Sequence, residues 1–275
     1  LAVDPGRPAA FYGADLEEPA MLPTIDPEFG QKYLKSANDF YGYGVHLLFN
    51  EWWEKAPQAT IDKYVAAIET HPEHGPLARE AWMAPAFRLA SLDRCAPGTL
   101  GAAYRAHMVD NGLAEKLGEG YAELTADFAA GGKLDRMPAV IKYKVLRGFQ
   151  THDLHHVLTG YSTAPPHELA LQAFQLAQMD YPYAAMTLGV IISHMALVDP
   201  WLIKPAMDAV TDGWAFGRRA KSLQFIRFED MLDRPLAEVR REFGLERDTP
   251  FAPVMEQVSE LIAQELVVQE NMRAA

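Results

Sequence analysis

The 275-residue sequence predicts an all-α protein. Apolar positions recur at helical spacing in segment after segment, and proline or glycine stands between the segments. No region alternates apolar and polar residues between hairpin turns, as an all-β or βαβ chain would. With 49% hydrophobic and 23% charged residues, the composition suits one sizeable folded core.

Taken in order, residues 1–30 hold prolines at 5, 8, 19, 23 and 27 and no basic-then-apolar signal pattern, so they read as an extended arm. Residues 31–275 read as a single compact helical domain with an apolar groove between helices. Its candidate helices are 31–55, 58–70, 76–91, 97–110, 113–130, 137–159, 167–179, 182–198, 201–226, 235–243 and 252–270. The breaks fall at Pro57, Pro72 to Pro76, Pro97-Gly98, Gly131-Gly132, the 160–166 turn, Asp199-Pro200 and Arg234-Pro235. Phe40, Tyr41, Tyr43, Phe49, Trp52 and Trp53 form an aromatic cluster expected mainly in the core, with part of it available to close a dimer or contact lipid. Tyr183 to Val198 is short for a membrane span and contains Ser193 and His194, so a buried core helix is expected.

Charge and cysteine content exclude some classes. A net charge of −12 argues against a general nucleic-acid binder, which needs a basic surface. The single cysteine, Cys95, rules out an internal disulfide framework or a cysteine zinc finger and is expected to pack.

The segment His152-Asp153-Leu154-His155-His156, followed by Glu168, carries the chemistry. At about 100° per residue, Ile141, Val145, Phe149, His152 and His156 lie near one helical line, so the apolar start of that line carries both imidazoles inward. Asp153 sits on the flank where it can join them, and His155 leans to the other flank. Lys142, Lys144 and Arg147 give the first half a wet face, while Leu154, Val157 and Leu158 make the second half apolar. Gly160 suits a C-cap, and Pro165-Pro166 suit the start of a returning helix with Glu168 in its first turn. The set fits a divalent metal site; the alternative is hydrogen-bonded core histidines with a capping carboxylate. Gly217-Arg218-Arg219-Ala220-Lys221 is a basic patch suited to phosphate or carboxylate, or else a solvated helix face.

These residues resemble the coenzyme Q biosynthesis protein 4 family. Ala96-Pro97-Gly98-Thr99-Leu100-Gly101 looks like the family's P-G-T-L-G helix start. His152-Asp153-x-x-His156 with Glu168 matches its metal motif, followed by Val157-Leu158-Thr159-Gly160. Gly217-Arg218-x-x-Lys221-x-Leu223, Phe228-Glu229 and Pro235-Leu236-x-x-Val239-Arg240 follow in the family's order, so the likeness spans roughly residues 90–245. His167 stands where glycine is usual and could add a ligand or line the entrance; Phe228 stands where tryptophan is common.

The resemblance implies an all-α protein of ubiquinone synthesis with a divalent metal on His152, Asp153, His156 and Glu168. It implies zinc, although a step consuming oxygen suits iron or manganese better. The attributed reaction is lyase-like: oxidative removal of the C1 carboxylate from a polyprenylated hydroxybenzoate, with His155 or His167 as a possible proton carrier. Arg218 and Lys221 could then hold an anionic head group, and helix 182–198 could wall a groove for the isoprenoid tail. Expected partners are the prenylated precursor or isoprenoid lipid, other quinone-biosynthesis proteins, a membrane surface and a second copy of the chain. The location is cytoplasmic at the membrane in a bacterium, or the matrix side of the mitochondrial inner membrane in a eukaryote.

Three other readings compete. A non-catalytic lipid-binding scaffold would use the metal only to pin helices. A zinc hydrolase would use Asp153 as the water-activating carboxylate, and a helical phosphohydrolase would need a histidine and aspartate such as His107 and Asp180.

Overall fold

The computed structural model describes residues 24–40, 42–85, 88–114 and 122–248. Among them helices carry the fold and no strand forms; Thr99 and Pro235 make one isolated antiparallel bridge. The arm over residues 1–23, Tyr41 of the aromatic cluster and the candidate helix 252–270 lie outside the described residues, as does part of 113–130.

The candidate 31–55 is two helices, α1 (Pro27–Asn38) and α2 (Val45–Lys55). Asp26 caps α1 by accepting from the Phe29 N–H at 3.0 Å, and Pro27 fits its first turn, so the helix begins earlier than the proline spacing suggested. The Asp39 carboxylate accepts the Gly42 N–H at 2.9 Å and closes a turn that splits the pair. Phe49 and Trp53 are buried, as expected of the aromatic cluster.

Next come α3 (Gln58–Thr70), α4 (Gly75–Glu80), α5 (Leu100–Asp110), α6 (Ala122–Ala129) and the short α7 (Lys133–Arg136). The candidate 76–91 stops at α4 because Ala81 adopts a left-handed conformation (φ 51°). Thr99 caps α5, accepting from the Ala102 N–H. Buried Cys95 packs as expected: a Cβ on Gly101 would sit 2.4 Å from its Sγ.

The axis of the molecule is α8 (Ala139–Thr159), ended by Gly160 in the left-handed region at φ 78°. At 21 residues it is about 30 Å long and passes through two apolar clusters. Its first half packs with α2, α3 and Tyr181; its second half packs with α5, α9 (Pro165–Met179), α11 (Ile203–Arg219) and α12 (Leu236–Phe243). The second half is buried nearly all round, as its sequence predicted. The first half differs from expectation: Lys144 and Arg147 are 3% and 1% exposed, so they do not form a wet face. Arg147 is buried because Glu229 meets it bidentately at 2.7 Å on both arms and the Ile226 carbonyl accepts at 2.6 Å.

The candidate 201–226 ends at Arg219. Beyond it, the Lys221 N–H donates to the Phe243 carbonyl, and Gln178 holds Leu223 N–H and the Lys221 carbonyl, each at 3.0 Å. These partners replace helical hydrogen bonds, and Phe225 turns through φ 66°. Two glycines let α11 lie directly on α9. A Cβ at Gly213 would sit 1.9 Å from the Ala170 carbonyl oxygen, and one at Gly217 would sit 2.5 Å from that of Phe174.

Helix α10 (Pro182–Val198) matches its expected bounds but not its expected burial. Apolar along its length, it buries only Ala184 and Val190, and it ends in Leu197 (89% exposed) and Val198. Trp201, in the following 3₁₀ turn, is 87% exposed. Among the described residues, no helix is long and apolar enough to cross a membrane.

Candidate metal centre

The site is built where α8 ends and α9 begins. Gly160 stops α8, the turn returns the chain, and Pro165 and Pro166 open α9 with Glu168 in its first turn. This places Glu168 Oε1 3.1 Å from His156 Nε2 and Glu168 Oε2 3.5 Å from His152 Nε2. The two Nε2 atoms are 3.1 Å apart, and ligand atoms of all three residues lie within 4.8 Å of one another. His156 is fully buried, whereas the His152 and Glu168 side chains are 31% and 36% exposed, so the cluster opens on one side.

His156 has a fixed role. Its Nδ1 lies 3.1 Å from the Tyr161 carbonyl, which can only accept, so Nδ1 donates there and Nε2 faces the cluster. Two imidazole Nε2 atoms 3.1 Å apart need a proton or cation between them, and a carboxylate completes a donor set suited to a divalent ion. Burial alone would push the His152 imidazolium down, but Glu168 overrides it and the net shift is upward. Burial would raise Glu168, yet His152 and then His156 hold its carboxyl far below the usual range.

Other expected site residues are placed differently. Asp153 is buried, with Oδ1 3.5 Å from His107 Nε2, and is not part of the three-residue cluster. His155 is buried against Phe228 with ring centroids 6.0 Å apart, and burial holds it neutral, well below its ordinary value. Neither ring nitrogen of His155 has a hydrogen-bond partner among the described residues. His167 Nδ1 accepts from the Ser162 N–H at 2.8 Å and lies 2.7 Å from the Ser162 hydroxyl, ordering the turn before α9. Arg218 and Lys221 are solvent-exposed at the end of α11, and Gly217 beside them serves the α9 contact. The sequence offered His107 only as a phosphohydrolase candidate with Asp180; the fold instead stacks it on His156 with centroids 5.5 Å apart.

Three of the C-terminal signature residues act on α8. Glu229 pairs with Arg147, Phe228 packs on His155, and Arg240 donates to the Val157 and Leu158 carbonyls at 2.7 and 3.0 Å. Arg240 thereby satisfies carbonyls left open at the end of the helix. The Pro97-to-Gly101 segment anchors this strap: Leu100 and Gly101 N–H donate to the Arg234 and Leu232 carbonyls, and the Leu236 N–H donates to that of Gly98.

The family model described as coenzyme Q (ubiquinone) biosynthesis protein Coq4 matches residues 139–249. The ubiquinone biosynthesis protein COQ4, mitochondrial, of Yarrowia lipolytica is 31% identical over 107 residues, covering 38% of this chain and 39% of that protein. Its counterpart in Botryotinia fuckeliana is 28% identical over 111 residues, covering 38% and 36%. The chain thus matches well under half the length of these relatives. A crystal structure from Nostoc punctiforme PCC 73102, of a protein named provisionally for ubiquinone biosynthesis, superposes with a TM-score of 0.59 at 24% identity. It covers 80% of this chain and 95% of that one, showing that the two share a fold. Residues 139–249, which carry the His–Glu cluster and its clamp, are thus similar to the Coq4 family.

Proposed function

We propose that this chain acts in ubiquinone biosynthesis, as a lyase that removes the C1 carboxylate of a polyprenylated hydroxybenzoate at a divalent metal. The observation that carries the reading is the convergence of His152 Nε2, His156 Nε2 and a Glu168 carboxylate oxygen on one open-sided point. Such a donor set suits zinc, iron or manganese. When bound, the ion supplies Lewis-acid polarisation of a substrate carboxylate or phenolate. His156, locked by the Tyr161 carbonyl, keeps its donor atom aimed without side-chain reorganisation. Glu168 balances charge at the cluster, while the half-exposed His152 and Glu168 leave an approach for the ring. Asp153 and His107 lie together behind His156. The oxidative form of the reaction needs a two-electron oxidant, for which dioxygen is the natural class.

A second reading, a lipid-binding scaffold for other quinone-biosynthesis proteins, is favoured by the exposed apolar course of α10. Leu197, Val198 and Trp201 form an apolar tip suited to a membrane interface, an isoprenoid tail or a second copy of the chain. Precursor profiling separates the readings. Cells lacking the protein should accumulate a carboxylated prenyl-hydroxybenzoate, cleared by the wild type and not by a folded His152→Ala/His156→Ala variant. Clearance by that variant would leave only the scaffold, and normal quinone levels without the protein would remove both.

A further inference from the structure

Lys144 is buried with no counter-ion among the described residues. It is 3% exposed, and among the described residues its ammonium has neither an ion pair nor a hydrogen bond. What it does touch is the Tyr181 ring, with Nζ 4.1 Å from the centroid. Unpaired lysines are costly to bury, so one held this way is a candidate for meeting a ligand.

Its position ties it to the metal centre. On α8, Nζ reaches toward Gly148: a Cβ there would lie 3.8 Å from it, so the side chain runs toward His152, which lies one turn further, about 6 Å along the axis. The charge of Lys144 accordingly acts on both His152 and His155. On the facing side, the first turn of α10 continues from Tyr181 to Tyr183, with ring centroids 5.6 Å apart. Tyr183 in turn feels the charge of Glu168. A lone cation and a His–His–Glu cluster are therefore joined on one side by a glycine and on the other by two tyrosines.

We propose that Lys144 is an anion-binding residue of the site, taking one charged oxygen of a hydroxybenzoate-type ligand while the opposite oxygen faces His152, His156 and Glu168. The ligand class rests on the function proposed above; the shared chemistry is an anionic aromatic oxygen, either carboxylate or phenolate. Burial, which pushes the Lys144 ammonium down to about 7, is consistent with a residue that gains its counter-charge only from a ligand.

The test is calorimetric titration of metal-loaded wild type, Lys144→Met and Lys144→Gln with 4-hydroxy-3-prenylbenzoate, its methyl ester, its 4-methoxy ether and unprenylated 4-hydroxybenzoate. Thermal melts of each variant establish that it is folded. Both substitutions should weaken the prenylated acid by about 10- to 100-fold, the range for a hydrogen bond to a charged group. One analogue, the ester or the ether, should bind wild type and variants alike, and it identifies the oxygen that Lys144 takes. A merely structural lysine would weaken every ligand equally, and that result would overturn the proposal, as would equal binding of the acid to wild type and folded variants. In both cases the proposed function would stand. Lysine-dependent binding of 4-hydroxybenzoate without binding of the prenylated acid would keep the anchor and remove the quinone-precursor reading. Binding of neither would remove both.

Discussion

At the candidate metal centre the defining atom is the Nδ1 proton of His156, because its bond to the Tyr161 carbonyl decides which nitrogen faces Glu168 and His152. The His152–Glu168 pair sets a pH dependence. Glu168 holds His152 above its ordinary value, so this part of the metal-free protein's stability is complete below the unfolded histidine value of about 6.5. It is lost as pH rises through the higher folded value. The depressed Glu168 contributes in full above the unfolded glutamate value of about 4.3 and fails as pH falls toward its folded one. Thermal melts of metal-free wild type and Glu168→Gln should therefore differ most between the two unfolded values, near pH 5–6, and the gap should narrow as pH rises through the folded value of His152. A difference that grows with pH would contradict the pairing. Since a metal must displace the His152 proton, affinity should rise between pH 6 and 8 with proton release, measurable by titration in buffers of different ionisation enthalpy. The His152/His156/Glu168 spacing was legible because i, i+4 on a helix followed by a short return is local geometry. Asp153 and His107 were not, because their meeting depends on how α5 packs across α8.

At the scale of elements, glycine placement and one ion pair determine how the helices seat. Gly213→Ala would drive a Cβ into the backbone of α9 at Ala170, which has no side chain to swing aside. It should cost about 3 kcal/mol or more and lower the urea midpoint without removing the metal ligands. Glu229→Ala leaves Arg147 charged and buried on α8, with an expected loss of about 3–5 kcal/mol. A Glu229→Ala urea midpoint within error of wild type would show that Arg147 does not depend on it. Helices bounded by Pro or Gly, such as α3, α8 and α10, could be read from sequence nearly to the residue. The segment after Arg219 could not, because its backbone is satisfied by Gln178 and Phe243, partners distant in sequence. The same holds for Arg147: its charge pointed to solvent until Glu229 supplied a buried partner.

Across the whole molecule, the long α8 is fastened by the strap from Phe228 to Arg240, which explains why motifs far apart in sequence occur together. Lys144 works against this stability. With its folded value near 7 and an unfolded value of about 10.4, the unfolded chain binds more protons between those limits, so stability rises with pH across that window. Lys144→Met should accordingly raise the melting temperature at pH 7 while weakening ligand binding, and an unchanged or lower melting temperature would mean the lysine carries hidden support. The exposed apolar end of α10 was invisible to hydropathy, which identifies an apolar helix but not what covers it. The most direct test at this scale is the metal content of purified protein offered zinc, iron and manganese, measured by mass spectrometry alongside a folded His156→Ala variant. About one ion per chain in the wild type and almost none in the variant is expected; equal occupancy in both, or none in the wild type, would contradict a metal held by His152, His156 and Glu168.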